Sequence, residues 1–312
     1  TPDGANLKAG LVTPAYTGGT PTAAGQIKPS LRNADGSLKP SLLSGSALKP
    51  SLLSGAAAAL LLDDVSPVAV YSSGRRLRSD YAGPAHVIRR VGDDAEANIP
   101  YLDDVYDTPS LAAHCAGVDG YVRTVLDQSS AANHQQQSTT SLQLKAVNAG
   151  TPIALGGRPV PLGTSLTWMS GGSFTLDDFT FFAVARFSNS VQCVFGVGGV
   201  NIAQLVWSGG VLNHSRKSNG ATIACPYNQI VQISGYSSDA IRRVWLNGTE
   251  GTPTSTPVAA SIVASPLFYS ALSDVYYKMA GYIAEFILIP GAVADAKRAE
   301  IETSQKDFWG IA

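Results

Sequence analysis

The sequence predicts an all-β sandwich that carries an extended N-terminal arm and a C-terminal capping helix. Three observations predict it. From Val65 onward, strand-length apolar runs alternate with clusters of Gly, Asn, Ser and Asp, the pattern of a sandwich. The first 62 residues are rich in Gly, Pro, Ser, Thr and Ala and show no sustained period of 2 or 3.6. Near the end, Pro290-Gly291 precedes a run of helix formers. With 312 residues, 45% of them hydrophobic, the chain can bury one core of ~200–250 residues or two smaller ones.

The arm, residues 1–62, repeats one phrase: Ile27-Lys28-Pro29-Ser30-Leu31, then Leu38-Lys39-Pro40-Ser41-Leu42-Leu43-Ser44-Gly45, then Leu48-Lys49-Pro50-Ser51-Leu52-Leu53-Ser54-Gly55. Each proline holds its preceding residue extended, and each Ser-Gly, like Asp35-Gly36, offers a turn. The leucines have nothing to cover them within the arm. They are expected to be buried against sister chains or a neighbouring protein, with Lys28, Pro29, Leu31, Lys39, Pro40, Leu42, Lys49, Pro50 and Leu52 as the anchoring residues.

Residues 63–312 are expected to form a single sandwich. Its early strands are predicted at 68–71, 87–91 and 121–126, and its later ones at 179–187, 191–197, 202–207, 230–235, 243–247 and 282–289. In the strand 179–187, Phe179, Phe181, Ala183, Ala185 and Phe187 share a face, with Thr180, Phe182, Val184 and Arg186 on the other. The strand 282–289 is apolar on both faces and reads as central. A terminal helix is predicted over 293–306, and a shorter one at 71–81 or 110–115.

Composition narrows the partners. A net charge of -1 with 14% charged residues gives no basic field to hold a phosphate backbone. The longest apolar run, Ala56 to Leu62, falls short of the ~20 residues that span a bilayer, so neither nucleic acid nor membrane insertion is expected. The segment Thr1 to Gly10 lacks an apolar stretch behind a basic start, and synthesis in a cytoplasm is expected. Cys115, Cys193 and Cys225 cannot all pair and are expected to be buried free thiols.

Candidate chemistry is sparse. His86, His114, His134 and His214 lack ligand spacing, so no metal and no cofactor is expected. Asp93, Asp94 and Glu96, like Asp103, Asp104 and Asp107, read as solvated loops because they lack a calcium-loop spacing. Asp177 and Asp178 are adjacent and read as a turn. Glu285, inside an apolar strand, is expected to pair with an arginine such as Arg186. Trp207 and Trp245 are candidate platforms for stacking on a sugar.

Several phrases carry a resemblance. These are Tyr71-Ser72-Ser73-Gly74-Arg75-Arg76-Leu77-Arg78-Ser79-Asp80-Tyr81, His114-Cys115-Ala116-Gly117, and Asp127-Gln128-Ser129-Ser130-Ala131-Ala132-Asn133-His134. Over 71–134 they resemble the opening of the β-sandwich catalytic domain of α-L-arabinofuranosidases. The same opening is similar to that of phage virion proteins with a concanavalin-type jelly roll, whose hairpin resembles Val244-Trp245-Leu246-Asn247-Gly248 and whose final strand resembles 281–286. The resemblance implies a glutamate nucleophile where Ala203-Gln204-Leu205-Val206-Trp207 stands, so Gln204 occupies its place. It also implies a second cysteine at Gly120, paired with Cys115, and an adjacent Cys-Cys pair where Gln192-Cys193 stands.

An amide cannot form a glycosyl ester, and the stapling cysteines are absent. The sequence therefore reads as a non-enzymatic bacteriophage structural protein of concanavalin/jelly-roll type, displayed as a tail fibre, appendage or capsid decoration. Localisation in the virion, assembly in the host cytoplasm, a homotrimer of sister chains joined to other virion proteins, and contact with host surface glycan are the matching expectations. The alternatives are a glycoside hydrolase of arabinofuranosidase type and a non-catalytic host-glycan adhesin.

Overall fold

The computed structural model describes residues 43–44, 47–48 and 59–312, apart from 165, 168, 172–173, 189–190, 198–202, 217–218, 256–261, 265 and 269–279. The chain divides into two compact units, 1–59 and 60–312. In the first, Leu43–Ser44 pairs antiparallel with Ala47–Leu48, Leu43 lying opposite Leu48. The nine anchoring residues expected in the arm lie outside the described residues.

The second unit is an all-β sandwich of two antiparallel leaves. The back leaf runs β1 (Ala69–Ser72), β17 (Gly281–Pro290), β9 (Phe179–Phe187), β14 (Ile230–Ser237) and β15 (Arg242–Leu246) in spatial order. The front leaf runs β3 (Glu96–Ile99), β2 (His86–Arg90), β4 (Gly120–Val125), β5 (Gln135–Gln136), β8 (Met169–Ser170), β16 (Pro266–Phe268), β10 (Val191–Val197), β11 (Ala203–Ser208), β12 (Val211–Arg216) and β13 (Asn219–Ala224). Along one edge the leaves are continuous, because β6 (Leu144–Asn148) pairs with β4 and with β7 (Leu162–Gly163), which pairs with β17.

Alternation along β9 builds the core. Phe179, Phe181, Ala183, Ala185 and Phe187 enter the space between the leaves, where Phe181 meets Phe195 and Phe195 meets Phe286, each at 5.1 Å between centroids. Full burial of each such ring contributes about 1.5–3 kcal/mol. On the other face, Phe182 packs with Leu62, Leu77, Ile287 and Ile301, and Val184 with Ala284, Leu155 and Trp309. The terminal helix α2 (Asp295–Trp309) supplies Ile301 and Trp309, and Gly310 ends it with φ 67°, a left-handed geometry that glycine adopts without strain. β17 is therefore covered on both sides, as its two apolar faces predict.

Of the two places offered for a shorter helix, the second holds one. α1 (Thr108–His114) is capped by Asp107, whose side chain accepts from Ser110 N at 3.0 Å, and it carries Pro in its first turn. Residues 71–81 instead form β1 and an irregular segment. Its backbone N–H groups are taken by distant partners: Ser73 donates to Ala284 O, Arg76 to Asp104 O, and Leu77 to Gln128 Oε1. No helical ladder can compete with these bonds.

Among the described residues, no helix is long and apolar enough to cross a membrane. All three cysteines are buried and free.

His86 of β2 is buried, its ring facing Tyr106 at 5.3 Å and its Nδ1 lying 3.1 Å from the Tyr106 hydroxyl. Burial lowers its pKa from 6.5 to about 3. As pH falls from 6.5 toward 3, the unfolded chain takes up a proton here that the folded chain refuses. Stability should thus decline on acidification, by up to about 1.4 kcal/mol per pH unit from this group. Urea midpoints measured between pH 6.5 and pH 4 should fall less steeply for His86→Gln than for wild type. Parallel curves would show that the native imidazole accepts the proton.

Candidate active site

The phrases that carry the sequence resemblance converge at one edge of the sandwich. Asp127, just beyond β4 of the front leaf, accepts Val70 N of β1 at 2.7 Å, Ser129 N at 2.9 Å, the Ser129 hydroxyl at 2.6 Å and Asn133 N at 2.8 Å. Gln128 accepts Leu77 N at 2.7 Å and donates to Arg75 O and the Tyr101 hydroxyl. Asn133 donates to Val68 O at 2.9 Å, and its own carbonyl accepts the Tyr71 hydroxyl. His134 Nδ1 accepts Asp127 N at 3.0 Å. This latch ties the two leaves together. Sequence reasoning quoted these residues without a role, and the run of Asp, Gln, Ser, Asn and His beside a strand end was the available signal.

Arg75, in the first of those phrases, is the partner of Glu285. A β-bulge leaves Ala284 without a partner in β9 and sets Glu285 opposite Val184, on the face beneath α2. There Glu285 accepts Arg75 Nε at 2.8 Å and Gln305 Nε2 at 3.3 Å. The expected Arg186 pairing is corrected: Arg186 stands opposite Tyr282, donates to Asn228 at 2.9 Å and lies over the Tyr282 ring. Glu302, also buried, accepts Arg298 Nη1 at 2.7 Å and the Ser234 hydroxyl at 2.5 Å. Among the described residues the buried carboxylates are Asp127, Glu285 and Glu302, and each is engaged in structural bonds.

β11 of the front leaf carries the position that the resemblance assigns to chemistry. Leu205 and Trp207 of β11 point into the core, whereas Val206 packs with Cys193 of β10, its register partner, in a separate small cluster. Burial raises the Cys193 pKa far above its ordinary value. Its Sγ lies 2.9 Å from Phe195 O, so it is a protonated thiol rather than a nucleophile. Gln204 stands in β11 opposite Gly196 and Ser215; its side chain lies outside the described set.

Both tryptophan candidates are corrected. Trp207 is only 4% exposed, stacks on Phe187 at 5.8 Å and donates to Cys225 O. Trp245, also 4% exposed, carries the Arg243 and Arg298 guanidiniums over its ring at 4.7 and 4.4 Å. Neither offers a face to a sugar, because strand alternation and the cover of α2 enclose them.

The acidic clusters are largely spent in ion pairs. Asp93 pairs with Arg90, which holds its carboxyl down at about 2, Asp94 with Arg89, Glu96 with Arg123, and Asp104 with Arg76. Asp178 sits in the turn before β9, its carbonyl accepting Gly291 N. No group of three or more His, Cys, Asp or Glu among the described residues is placed to hold a metal.

The comparisons agree with this architecture. The family model for the catalytic domain of α-L-arabinofuranosidase B matches residues 63–160. Among curated proteins, none matches the sequence. Of solved structures, an arabinofuranosidase complexed with arabinofuranosyl-α-1,2-xylobiose superposes with a TM-score of 0.64 at 15% identity, over 80% of this chain and 63% of that one. A GH54 α-L-arabinofuranosidase soaked with a cyclic sulfate inhibitor gives 0.61 at 16% identity over the same shares. A glutamate-to-glutamine variant of such an enzyme, soaked with 4-nitrophenyl α-L-arabinofuranoside, gives 0.62 at 16%. The chain thus spans about 63% of the length of these chains.

The class so defined is a β-sandwich with the arabinofuranosidase catalytic fold, and residues 63–160 resemble the catalytic domain itself. Two expectations are overturned. The reading as a displayed virion protein, and the reading as a non-enzyme, yield to the catalytic-domain match and to the superposition on arabinofuranosidases over 80% of the chain. The fold forms with all three cysteines free.

The geometry at Gly120 makes that point testable. A Cβ built there would lie 2.5 Å from Cys115 Sγ, close enough for the implied bridge once the thiol turns. Gly120→Cys should oxidise to a disulfide with Cys115, leaving one fewer titratable thiol than wild type after denaturation. Closing so short a loop should stabilise the oxidised form by about 2 kcal/mol. An unchanged midpoint with all thiols reactive would show that the two positions diverge in solution.

Proposed function

We propose that this chain is a glycoside hydrolase that removes α-L-arabinofuranosyl groups. The observation that carries this reading is the catalytic-domain match over residues 63–160. It lies in a sandwich of the same fold. The complex of a structural neighbour with arabinofuranosyl-α-1,2-xylobiose supports a substrate in which arabinose is attached to a xylose chain.

The reaction breaks the bond between the arabinose anomeric carbon and the oxygen of the glycan, and water supplies the hydroxyl and the proton. Retaining glycosidases do this with two carboxyl groups about 5 Å apart. The amide of Gln204 neither forms nor releases a glycosyl ester, so in this reading it is no nucleophile. Asp127, Glu285 and Glu302 are held in the latch and beneath α2. The reacting carboxylates are therefore other than these four positions.

The test is release of 4-nitrophenol from 4-nitrophenyl α-L-arabinofuranoside. Wild type should release it above the buffer rate, and Gln204→Glu should change kcat by less than about threefold, a barrier change under 1 kcal/mol. A gain of about a hundredfold in Gln204→Glu would move the nucleophile to position 204. No release by wild type would overturn the assignment.

A further inference from the structure

Where β4, β5 and β8 run side by side, a cavity of about 460 Å³ opens, lined by Arg123, His134, Gln136, Gln137, Ser138 and Ser170. The strands put it on the outer face of the front leaf. Val122 and Met169 enter the core, so their neighbours Arg123 and Ser170 point the other way. Gln136 stands between them, in register with Thr124 and with Ser170. The cavity thus shares a face with Cys193 and Val206, two and three strands beyond β8, roughly 10 and 14 Å at the usual strand spacing.

Its walls are held before any ligand arrives. Gln137 donates its N–H to Arg123 O at 3.0 Å, its carbonyl accepts Gln143 Nε2 at 2.8 Å, and its Oε1 accepts Thr139 N at 2.9 Å. Arg89 in turn fixes Gln143 at 2.9 Å. Because His134 Nδ1 accepts the Asp127 N–H, the neutral ring carries its proton on Nε2 and has a donor left to offer. Gly171 closes one side. It packs directly against the buried Gln135 amide, which would lie 2.1 Å from a Cβ at this position.

The chemistry of this lining selects its ligand. Two amides, two hydroxyls and an imidazole mix donors with acceptors. The one formal charge, Arg123, already faces Glu96 at 3.6 Å. An acidic sugar or a phosphate would call for unpaired cations, and a lipid or an aromatic ligand would call for apolar walls. A neutral polyhydroxylated ring matches both counts.

We infer that this cavity binds a neutral sugar unit of the glycan chain that bears the arabinosyl group, a remote subsite that rests on the hydrolase reading above. Binding is separable from turnover. Electrophoresis through gels containing soluble neutral arabinoxylan should retard the wild-type chain. The double variant Gln136→Ala/Ser138→Ala, at two exposed positions, should raise the dissociation constant by about tenfold while its thermal midpoint stays within about 2 °C of wild type. Unchanged retardation of a folded variant overturns the inference. So does absence of retardation in wild type, or stronger retardation by polygalacturonate than by arabinoxylan. A chain that is retarded through these residues yet releases no nitrophenol would sink the hydrolase reading alone.

Discussion

The Asp127 carboxylate is the constraint on which the rest of the structure depends. It follows β4 of the front leaf and accepts Val70 N of β1 in the back leaf, so one buried side chain clamps both layers at this edge. Its other bonds, to Ser129 and Asn133, shape the following loop. Taking a carboxylate out of water costs several kcal/mol, which only a full set of donors offsets. Here both oxygens are doubly engaged. Removing the group would strand Val70 N and Asn133 N in a dry site, at about 1–3 kcal/mol for each unmet donor. The backbone N–H of the same residue donates to His134 Nδ1 at the edge of the polar cavity.

A second network carries the order of this edge to the terminal helix. The segment that the latch holds through Gln128 contains Arg75, and Arg75 reaches beneath α2 to Glu285 and to the Ser304 hydroxyl. Gln305 continues the chain from Glu285 to Gln232 of β14. A buried ion pair adds little net stability against its desolvation cost. Its value here is geometric. Each member has a partner on a different element, so sliding α2 by one turn would leave Glu285 buried and under-bonded. The bulge at Ala284 is what sets Glu285 on that side.

How much of this was legible in the sequence depends on whether the cause is local. β9 and β10 were predicted with the ends they have, β9 because a two-residue period over nine residues specifies strand and face at once, β10 because an apolar run of strand length is bounded by Asn, Ser and Gly. The bulge at Cys193–Phe195, which turns both Val194 and Phe195 into the core, was not legible. α2 was legible from its helix formers and began within two residues of its predicted start. Residues 71–77 were not. Their backbone donors are satisfied by Ala284, Asp104 and Gln128, and no local pattern encodes such distant partners. The tryptophans misled for a related reason: amphipathic rings suit a sugar and a core alike, and only the tertiary structure puts Trp207 in the core between the leaves and Trp245 on the opposite face of β15, beneath α2. At the candidate site, Gln204 and the cysteine positions were legible as residues, but their weight was not.

That weight is settled by separating what staples a fold from what performs chemistry. The absent bridge between positions 115 and 120 was read against catalysis, as if the sandwich needed it. In the structure Cys115 and Gly120 still approach to bonding range, and they do so because α1 and β4 are positioned by other means. Asp107 caps α1, and the Val122–Leu144 pairing sets β4 against β6. Geometry that a disulfide would merely lock is thus produced by hydrogen bonds and packing alone. A missing staple therefore bears on stability and on the redox conditions the chain tolerates, and not on which side chains the fold brings together.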